Sequence, residues 1–319
     1  MRRKISMLLH LAVRLKLNIF IHNFIKDIKI RKFIEFLCIP LGLAKYVYLM
    51  IYFHVIHESE YRYHLSVVCI VKNEAPYIEE WLKYHISVGV EHFYIYDNES
   101  DDNLTEVLKK FDDVITLQSI AGPVRQLDAY NDALNKFSRE TKYLAMIDAD
   151  EFLYSPVGNH KLYPIVDKLF NNASIGGIAV NWVIYGSSGF EKRPNGLVTS
   201  NFVHRSEDDF YKNKFIKTIC NPRKVYSFTI SHAANYFPGY YAVNELGVTV
   251  PWASSEQVSI SQIRINHYYS KSREEFMKKR ARGSGEVLGL RYIEEFDEHD
   301  KNDVLDQSMR DYNHAHDLS

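Results

Sequence analysis

Cysteine is scarce in this sequence. The three present, Cys38, Cys69 and Cys220, are odd in number and far apart, with no Cys-x-x-Cys pair and no histidine at zinc spacing. A disulfide framework or a structural zinc is therefore not expected, and a reducing compartment is favoured. No Gly-x-Gly-x-x-Gly follows the first apolar strand, and no Gly-x-x-x-x-Gly-Lys-[Ser/Thr] occurs anywhere. Dinucleotide redox chemistry and P-loop hydrolysis thus lack their usual phosphate cradle. No short apolar core with a small-residue cleavage site opens the chain, so no cleaved signal peptide is expected. Overall charge is also nearly absent, at -1. No nucleic-acid partner is expected.

That near-zero balance hides an asymmetry. Of 39 basic and 40 acidic residues, ten basic residues but only Asp27 and Glu35 among the acidic fall in residues 1–57, leaving the remainder acidic. A basic, apolar front ahead of an acidic body suggests a segment held at an anionic membrane surface. Residues 36–56 carry one formal charge, Lys45, and are long enough to cross a bilayer, but Pro40, Gly42, Lys45 and His54 make a poor span. The preceding mixture of Ile, Phe and Leu with Lys and Arg fits a helix lying in the interface plane. Monotopic attachment is favoured over a span. Three glycosylation sequons begin at Asn98, Asn103 and Asn172; Asn98 falls in an expected ligand-binding loop, so they are read as chance.

At 319 residues, with 46% hydrophobic and 25% charged, the chain can bury one large core or two small ones. The 23 Tyr and 18 Phe read first as core packing, and second as sugar-stacking surface. From residue 65 the pattern alternates. "LSVVCIV" is a continuous apolar run fit for a strand covered on both faces, followed by a helix with Ile78, Trp81, Leu82 and Ile86 on one side. Strand "HFYIYD", helix "DDNLTEVLKKF", strand "VITLQS", helix "VRQLDAYNDALNKF" and strand "YLAMID" follow. Four such repeats imply right-handed crossovers and a doubly wound, mostly parallel α/β sheet.

Ligands bind such sheets outside the carboxyl ends of the strands. The polar clusters fall there: Lys72-Asn73-Glu74 after the first strand, Asp97-Asn98-Glu99-Ser100 after the second, and Asp148-Ala149-Asp150-Glu151 after the fourth. Asp-x-Asp in an extended segment would point two carboxylates the same way, toward one hard cation such as Mg²⁺ or Mn²⁺ that completes its shell with phosphate oxygens. The commoner bland reading of Asp-x-Asp is a solvated turn. Its place after an apolar strand favours function.

The segments "VVCIVKNEAPYIEEWLKYHISVGVEHFYIYDNESDD", "QLDAYNDAL", "YLAMIDADEFLY", "NWVIYGSSG" and "INHYYSKSREEFMKKRARG" stand in one order over roughly residues 65–285. In these the body resembles the GT-A glycosyltransferases, specifically the family 2-like group that includes glycosyltransferase family 92. The resemblance implies a GT-A domain over residues 61–270, which follows the basic, apolar helical segment read from composition over 1–60 and precedes a C-terminal helical extension over 271–319 closing over the donor site. It implies a nucleotide-sugar donor, usually UDP-linked, bound by Lys72, Asn73, Glu74, Asp97, Gln126, Asp148 and Lys271. Mn²⁺ or Mg²⁺ would be held by Asp148, Asp150 and His267. Asp150 is the favoured direct ligand and Asp148 the contact to ribose or metal-bound water. Arg282-Gly283-Ser284-Gly285 reads as a lid over the donor or as the loop that ends a helix. That helix opens with a Ser272/Glu275 capping box.

An inverting transfer also needs a base to deprotonate the acceptor hydroxyl. Candidates are His232, Glu151 and Asp209, with Asp208 and Glu245 behind them; Gly186-Ser187-Ser188-Gly189 and Trp182 would border the acceptor. Animal members of family 92 are inverting galactosyltransferases, so galactose is implied by analogy, with a glycan or glycolipid of surface polysaccharide or lipopolysaccharide as acceptor. Fewer than ten residues separate the apolar front from the first strand, which favours the cytoplasmic face of a bacterial inner membrane over a Golgi type II arrangement. The rival readings are a sugar-nucleotide nucleotidyltransferase, which usually carries a Gly-rich first loop, and a non-catalytic carbohydrate-binding protein, which would be expected to lose the acidic motif.

Overall fold

The computed structural model describes residues 27–37, 39–52, 60–283, 285 and 291–318. Two helices come first, α1 (Ile28–Leu37) and α2 (Ile39–Tyr52). Leu49 of α2 is buried against the body and the Lys45 ammonium sits 4.9 Å from the Tyr226 ring centre. Most of the remaining apolar surface of the two helices faces outward, including Phe33, Phe36, Leu41 and Ile51. At about 1.5 Å per residue, 14 residues of α2 reach about 21 Å, short of a bilayer core of about 30 Å. Among the described residues no helix is long and apolar enough to cross a membrane. Residues 1–26 and 53–59, which carry most of the expected basic front, lie outside the described residues, as does Cys38. Cys69 and Cys220 are buried free thiols.

The body then alternates as its periodicity predicts. β1 (Tyr63–Val71) is followed by α3 (Ala75–Ser87), β2 (His92–Asp97), α4 (Leu104–Leu108), β3 (Ile115–Ser119), α5 (Gln126–Phe137) and β4 (Thr141–Met146). Pro76 sits in the first turn of α3, where a missing N–H costs nothing. The helix expected from Val124 begins at Gln126, because Val124 takes a positive φ of 56°. β2, β1 and β4 pair in parallel, with β3 outside β2, so their carboxyl ends share one edge.

Beyond residue 146 the sheet ceases to be mostly parallel. β5 (Glu151–Tyr154), α6 (Leu162–Leu169), β6 (Ile175–Ile184), α7 (Val198–Asn201), β7 (His204–Arg205), β8 (Ile216–Cys220), β9 (Val225–Phe228), β10 (Ala234–Tyr236), β11 (Tyr241–Val243) and β12 (Arg264–His267) follow. The sheet order is β3-β2-β1-β4-β8-β6-β12-β5, with β11 joined to β6. β8 runs antiparallel to both β4 and β6, and β12 antiparallel to β5. The expectation extrapolated from the first repeats, but β8 enters the sheet after irregular chain and not after a crossover helix, so nothing enforces a parallel direction. The fold is mixed α/β.

The last elements are α8 (Arg273–Arg282), α9 (Glu294–His299), β13 (Val304–Leu305) and α10 (Ser308–Ala315). They pack back on the body: β13 pairs with β7, and the Asn313 amide donates to Thr199 Oγ1 at 2.7 Å. α3 ties the two ends of the sheet together. Trp81 Nε1 donates to Glu151 O at 2.8 Å and the Tyr84 hydroxyl to Leu153 O at 2.9 Å, so a helix that follows β1 fixes β5.

Candidate active site

A cavity of about 570 Å³ opens at the shared edge of β1, β2 and β4, and is completed by the start of α5, by β12 and by α8. Its wall carries Lys72 and Glu74 after β1, Asn98 and Glu99 after β2, Gln126, Asp148, Asp150, Trp182, His232 and His267. Three of the polar clusters picked out by sequence therefore meet in one place. The Asn98 side chain is buried and donates to the carbonyls of Ile120 and Gly122, leaving its sequon nitrogen occupied.

Asp148-Ala149-Asp150 is not an extended segment. Residues 149–150 form a turn that carries the chain from β4 across to β5 at the far end of the sheet. The two carboxylates consequently diverge. Asp148 Oδ1 accepts from Gln126 Nε2 at 2.6 Å and from the Tyr130 hydroxyl at 3.3 Å, while Oδ2 accepts from Lys217 Nζ at 2.9 Å. Burial alone would raise the Asp148 carboxyl, but the Lys217 ammonium overrides it and holds Asp148 below its ordinary value. Asp150 points the other way. Its Oδ2 accepts from Lys279 Nζ at 2.5 Å, and Oδ1 lies 3.6 Å from His267 Nε2. Against the burial that would raise it, Lys279 and His267 hold Asp150 well below the carboxylate range.

Glu151 lies beneath both. It is wholly buried, its Oε2 accepts from the Asp148 backbone N–H at 2.9 Å, and Lys217 Nζ stands 3.8 Å from the same oxygen. Burial pushes the Glu151 carboxyl well above its usual value, with Lys217 opposing and the negative charges of Asp148 and Asp150 reinforcing the rise. The carboxyl group braces the turn from below. Burial likewise lowers His267, which favours the neutral imidazole that a metal requires.

Other residues singled out by sequence fall outside the lining. Asn73, at a φ of 54°, accepts at Oδ1 from the Asp101 N–H and Asp97 accepts from Ser100 N–H, so both brace the two loops beside the cavity. Lys271 is buried with its ammonium 3.7 Å from the Tyr77 ring centre. Asp209 is exposed, Asp208 pairs with Arg205 at 2.7 Å, and Glu245 accepts the backbone N–H groups of Ser261, Gln262 and Ile263. His232 does face the cavity. Its Nδ1 lies 3.0 Å from Ile216 O and its ring meets Trp182 edge-on at 5.1 Å. Trp182 Nε1 is buried without a hydrogen-bond partner among the described residues.

Sequence reasoning missed the two cations that neutralise the acidic turn. Lys217 stands alone in the apolar strand "FIKTIC", and a lysine with 1% exposure in a central strand needs a buried anion. That signal was readable. Lys279 offered none, since a basic residue in the last turn of α8 is explained by the helix dipole. The Ser272/Glu275 capping box is present and Gly283 ends the helix at a φ of 85°. Ser284 lies outside the described residues. Arg282 Nη1 donates to the carbonyls of Lys72 and Asn73, and Nη2 to Glu74 at 2.5 Å, which ties α8 to the end of β1. Burial brings the Lys279 ammonium down to about 8, against the pull of Asp150.

The residues fit a divalent ion through two donors. Asp150 Oδ1 and His267 Nε2 form a mixed oxygen and nitrogen pair that suits Mn²⁺. Among the described residues no group of three or more His, Cys, Asp or Glu side chains is arranged to hold a metal, so water or phosphate oxygens would complete the shell. Asp148 has its carboxylate oxygens taken by Gln126, Tyr130 and Lys217.

A rice family 92 glycosyltransferase is 30% identical over 44% of this chain and 25% of its own length, and an Arabidopsis thaliana member 27% identical over 46% and 28%. A β-1,4-galactosyltransferase of Caenorhabditis elegans is 25% identical over 70% of this chain and 52% of its own length. The chain thus spans about a quarter of the plant relatives and about half of the worm enzyme. Among solved structures, Staphylococcus aureus TarS with UDP aligns at a TM-score of 0.33 and 14% identity, covering 50% of this chain and 47% of that one. Glucosyl-3-phosphoglycerate synthase from Mycobacterium tuberculosis, solved with Mn²⁺, UDP and product, aligns at 0.28 and 17%, covering 40% and 50%. The sequence model of glycosyltransferase family 92 matches residues 64–309, most of the chain, and the protein belongs to that family.

Proposed function

We propose that this protein transfers a hexose, galactose by analogy with the worm relative, from a UDP-linked donor to a hydroxyl of a surface glycan or glycolipid, with inversion. The observation that carries the reading is the cavity at the carboxyl ends of β1, β2 and β4, where an acidic turn is charge-balanced by lysines on both sides. In the transfer the acceptor oxygen bonds to the anomeric carbon as the bond to the diphosphate breaks, and the electron pair leaves with the phosphate oxygen. A divalent ion on Asp150 and His267 would supply Lewis-acid stabilisation of that charge.

Glu74, Asn98 and Gln126 line the end of the cavity where the base and ribose fit, and Lys279 and Arg291 the end where charge develops. His232 is the acceptor-side base. The contact of Nδ1 with Ile216 O sets its proton there and leaves the basic lone pair on Nε2. Trp182, beside it, lines the cavity and borders the acceptor sugar.

We place the enzyme on an anionic membrane surface, at the cytoplasmic face of a bacterial inner membrane. The exposed apolar side chains of α1 and α2, among them Phe33 at 62%, Phe36 at 65% and Ile51 at 67%, support this, together with the basic residues of the front end.

The test is nucleoside diphosphate release by purified protein over a panel of UDP-, GDP- and CMP-sugars, with and without Mn²⁺. Release confined to a UDP-hexose and dependent on metal is expected, with Asp150→Asn slowing it by at least about 10²-fold. No turnover of any donor, or an Asp150→Asn protein as active as the wild type, overturns the reading.

A further inference from the structure

The two carboxylates of the acidic turn are paired with cations of different character. Lys217 comes from the middle of β8, has 1% of its side chain exposed, and is held within the sheet beside Asp148 and Glu151. Lys279 comes from α8 at the cavity wall, with 14% of its side chain exposed, at the end of a flexible four-carbon stem. Its other anchors come from a single residue, the Tyr269 carbonyl at 3.0 Å and the Tyr269 ring at 3.8 Å. Arg282, one turn further along α8, is fixed by two backbone carbonyls and Glu74. Of the cations around the turn, Lys279 is the one built to change partner.

From this we propose that Lys279 is an internal counter-ion that keeps Asp150 closed to a divalent metal until the diphosphate of the donor draws the ammonium away, after which Lys279 acts as a leaving-group cation. The inference rests on the nucleotide-sugar reading of the cavity. An ammonium 2.5 Å from Asp150 Oδ2 repels a second cation at Oδ1 across a single carboxylate, in surroundings that screen poorly. A diphosphate changes both terms, because it brings negative charge for Lys279 and oxygen ligands for the metal. Metal and nucleotide are then linked, each tightening the other by the same factor. Without donor, each aspartate of the turn has its own lysine.

The test is Mn²⁺ binding to the full-length protein, followed by electron paramagnetic resonance of the free ion, alone and with UDP. Wild-type protein should bind Mn²⁺ weakly alone and at least about ten-fold more tightly with UDP. Lys279→Met should bind Mn²⁺ alone about ten-fold more tightly than wild type and lose most of the UDP effect, while Lys279→Arg should behave as wild type. Lys279→Gln, which keeps a hydrogen bond to Asp150 without the charge, gives the same comparison if the Met variant does not fold. Equal Mn²⁺ affinity in the wild-type and uncharged variants, or no binding in any of them, overturns the proposal. Tighter Mn²⁺ binding in Lys279→Met with no UDP binding by any variant supports the counter-ion role and overturns the donor reading instead.

Discussion

The Lys217 ammonium and the Asp148 carboxylate meet at 2.9 Å, the lysine from a strand antiparallel to the one that leads into the aspartate. The lysine is the enclosed member of the pair, and its desolvation is opposed by the carboxylates of Asp148 and Glu151. Removing it leaves the Asp148 carboxylate without its closest cation.

Lys217→Met should therefore lose roughly 3 kcal/mol of stability, at the lower end for a broken buried pair because Asp148 is one-third exposed. Urea unfolding gives the number. The double variant with Asp148→Asn should recover part of the loss, and a double variant no more stable than Lys217→Met would show that Lys217 acts by packing alone.

Acid should weaken the fold through His85. This wholly buried ring lies with Nδ1 2.8 Å from Trp81 O, and its Nε2 accepts from the Leu153 N–H at 3.2 Å, which only the neutral tautomer can do. Burial lowers His85 from 6.5 to about 3. The unfolded chain binds this proton at a higher pH than the native one, so the stability it contributes is present above 6.5 and is lost as pH falls from 6.5 toward about 3. The loss is about 1.4 kcal/mol per pH unit within that window. Unfolding free energies measured from pH 7 to 4 should fall less steeply in His85→Gln, and identical slopes would refute the assignment.

Phe33→Asp with Phe36→Asp should reduce flotation with phosphatidylglycerol vesicles by roughly ten-fold, since each removes an exposed apolar side chain and adds a like charge to the lipid surface. Unchanged flotation would remove α1 from the membrane contact.

Much of the fold was legible because it is encoded locally. The Val- and Ile-rich run of β1 and the stripe of Ile78, Trp81, Leu82 and Ile86 on α3 are periodic signals, and the first three of those α3 side chains are fully buried while Ile86, in the last turn, is exposed. The convergence of Lys72, Asn98 and Asp148 followed from parallel neighbours alone. What sequence could not supply was direction after residue 146. The turn at Asp148 sends the next strand to the opposite end of the sheet, and β8 fills the gap in reverse. The same blindness hid Lys279, whose role depends on how α8 folds back, whereas the lone Lys217 in an apolar strand was readable as a buried cation and only its partner was not. Asp209 and Lys271 were plausible by residue type and order, yet one is exposed and the other rests on Tyr77.

The acidic turn also has a place in folding order. Its two aspartates sit two positions apart, but the lysines that neutralise them lie 69 and 129 residues further along the chain. No local nucleus can make the turn tolerable, because closing such long loops costs entropy before any contact returns it. During synthesis the strand leading into Asp148 can pair with β1 well before either lysine has left the ribosome. The centre of the site is therefore electrostatically settled only after Lys279 has been made, and a chain truncated ahead of Lys279 would carry Asp150 without its close cation. Charge balance at the acidic turn thus reports that the chain has been made through Lys279.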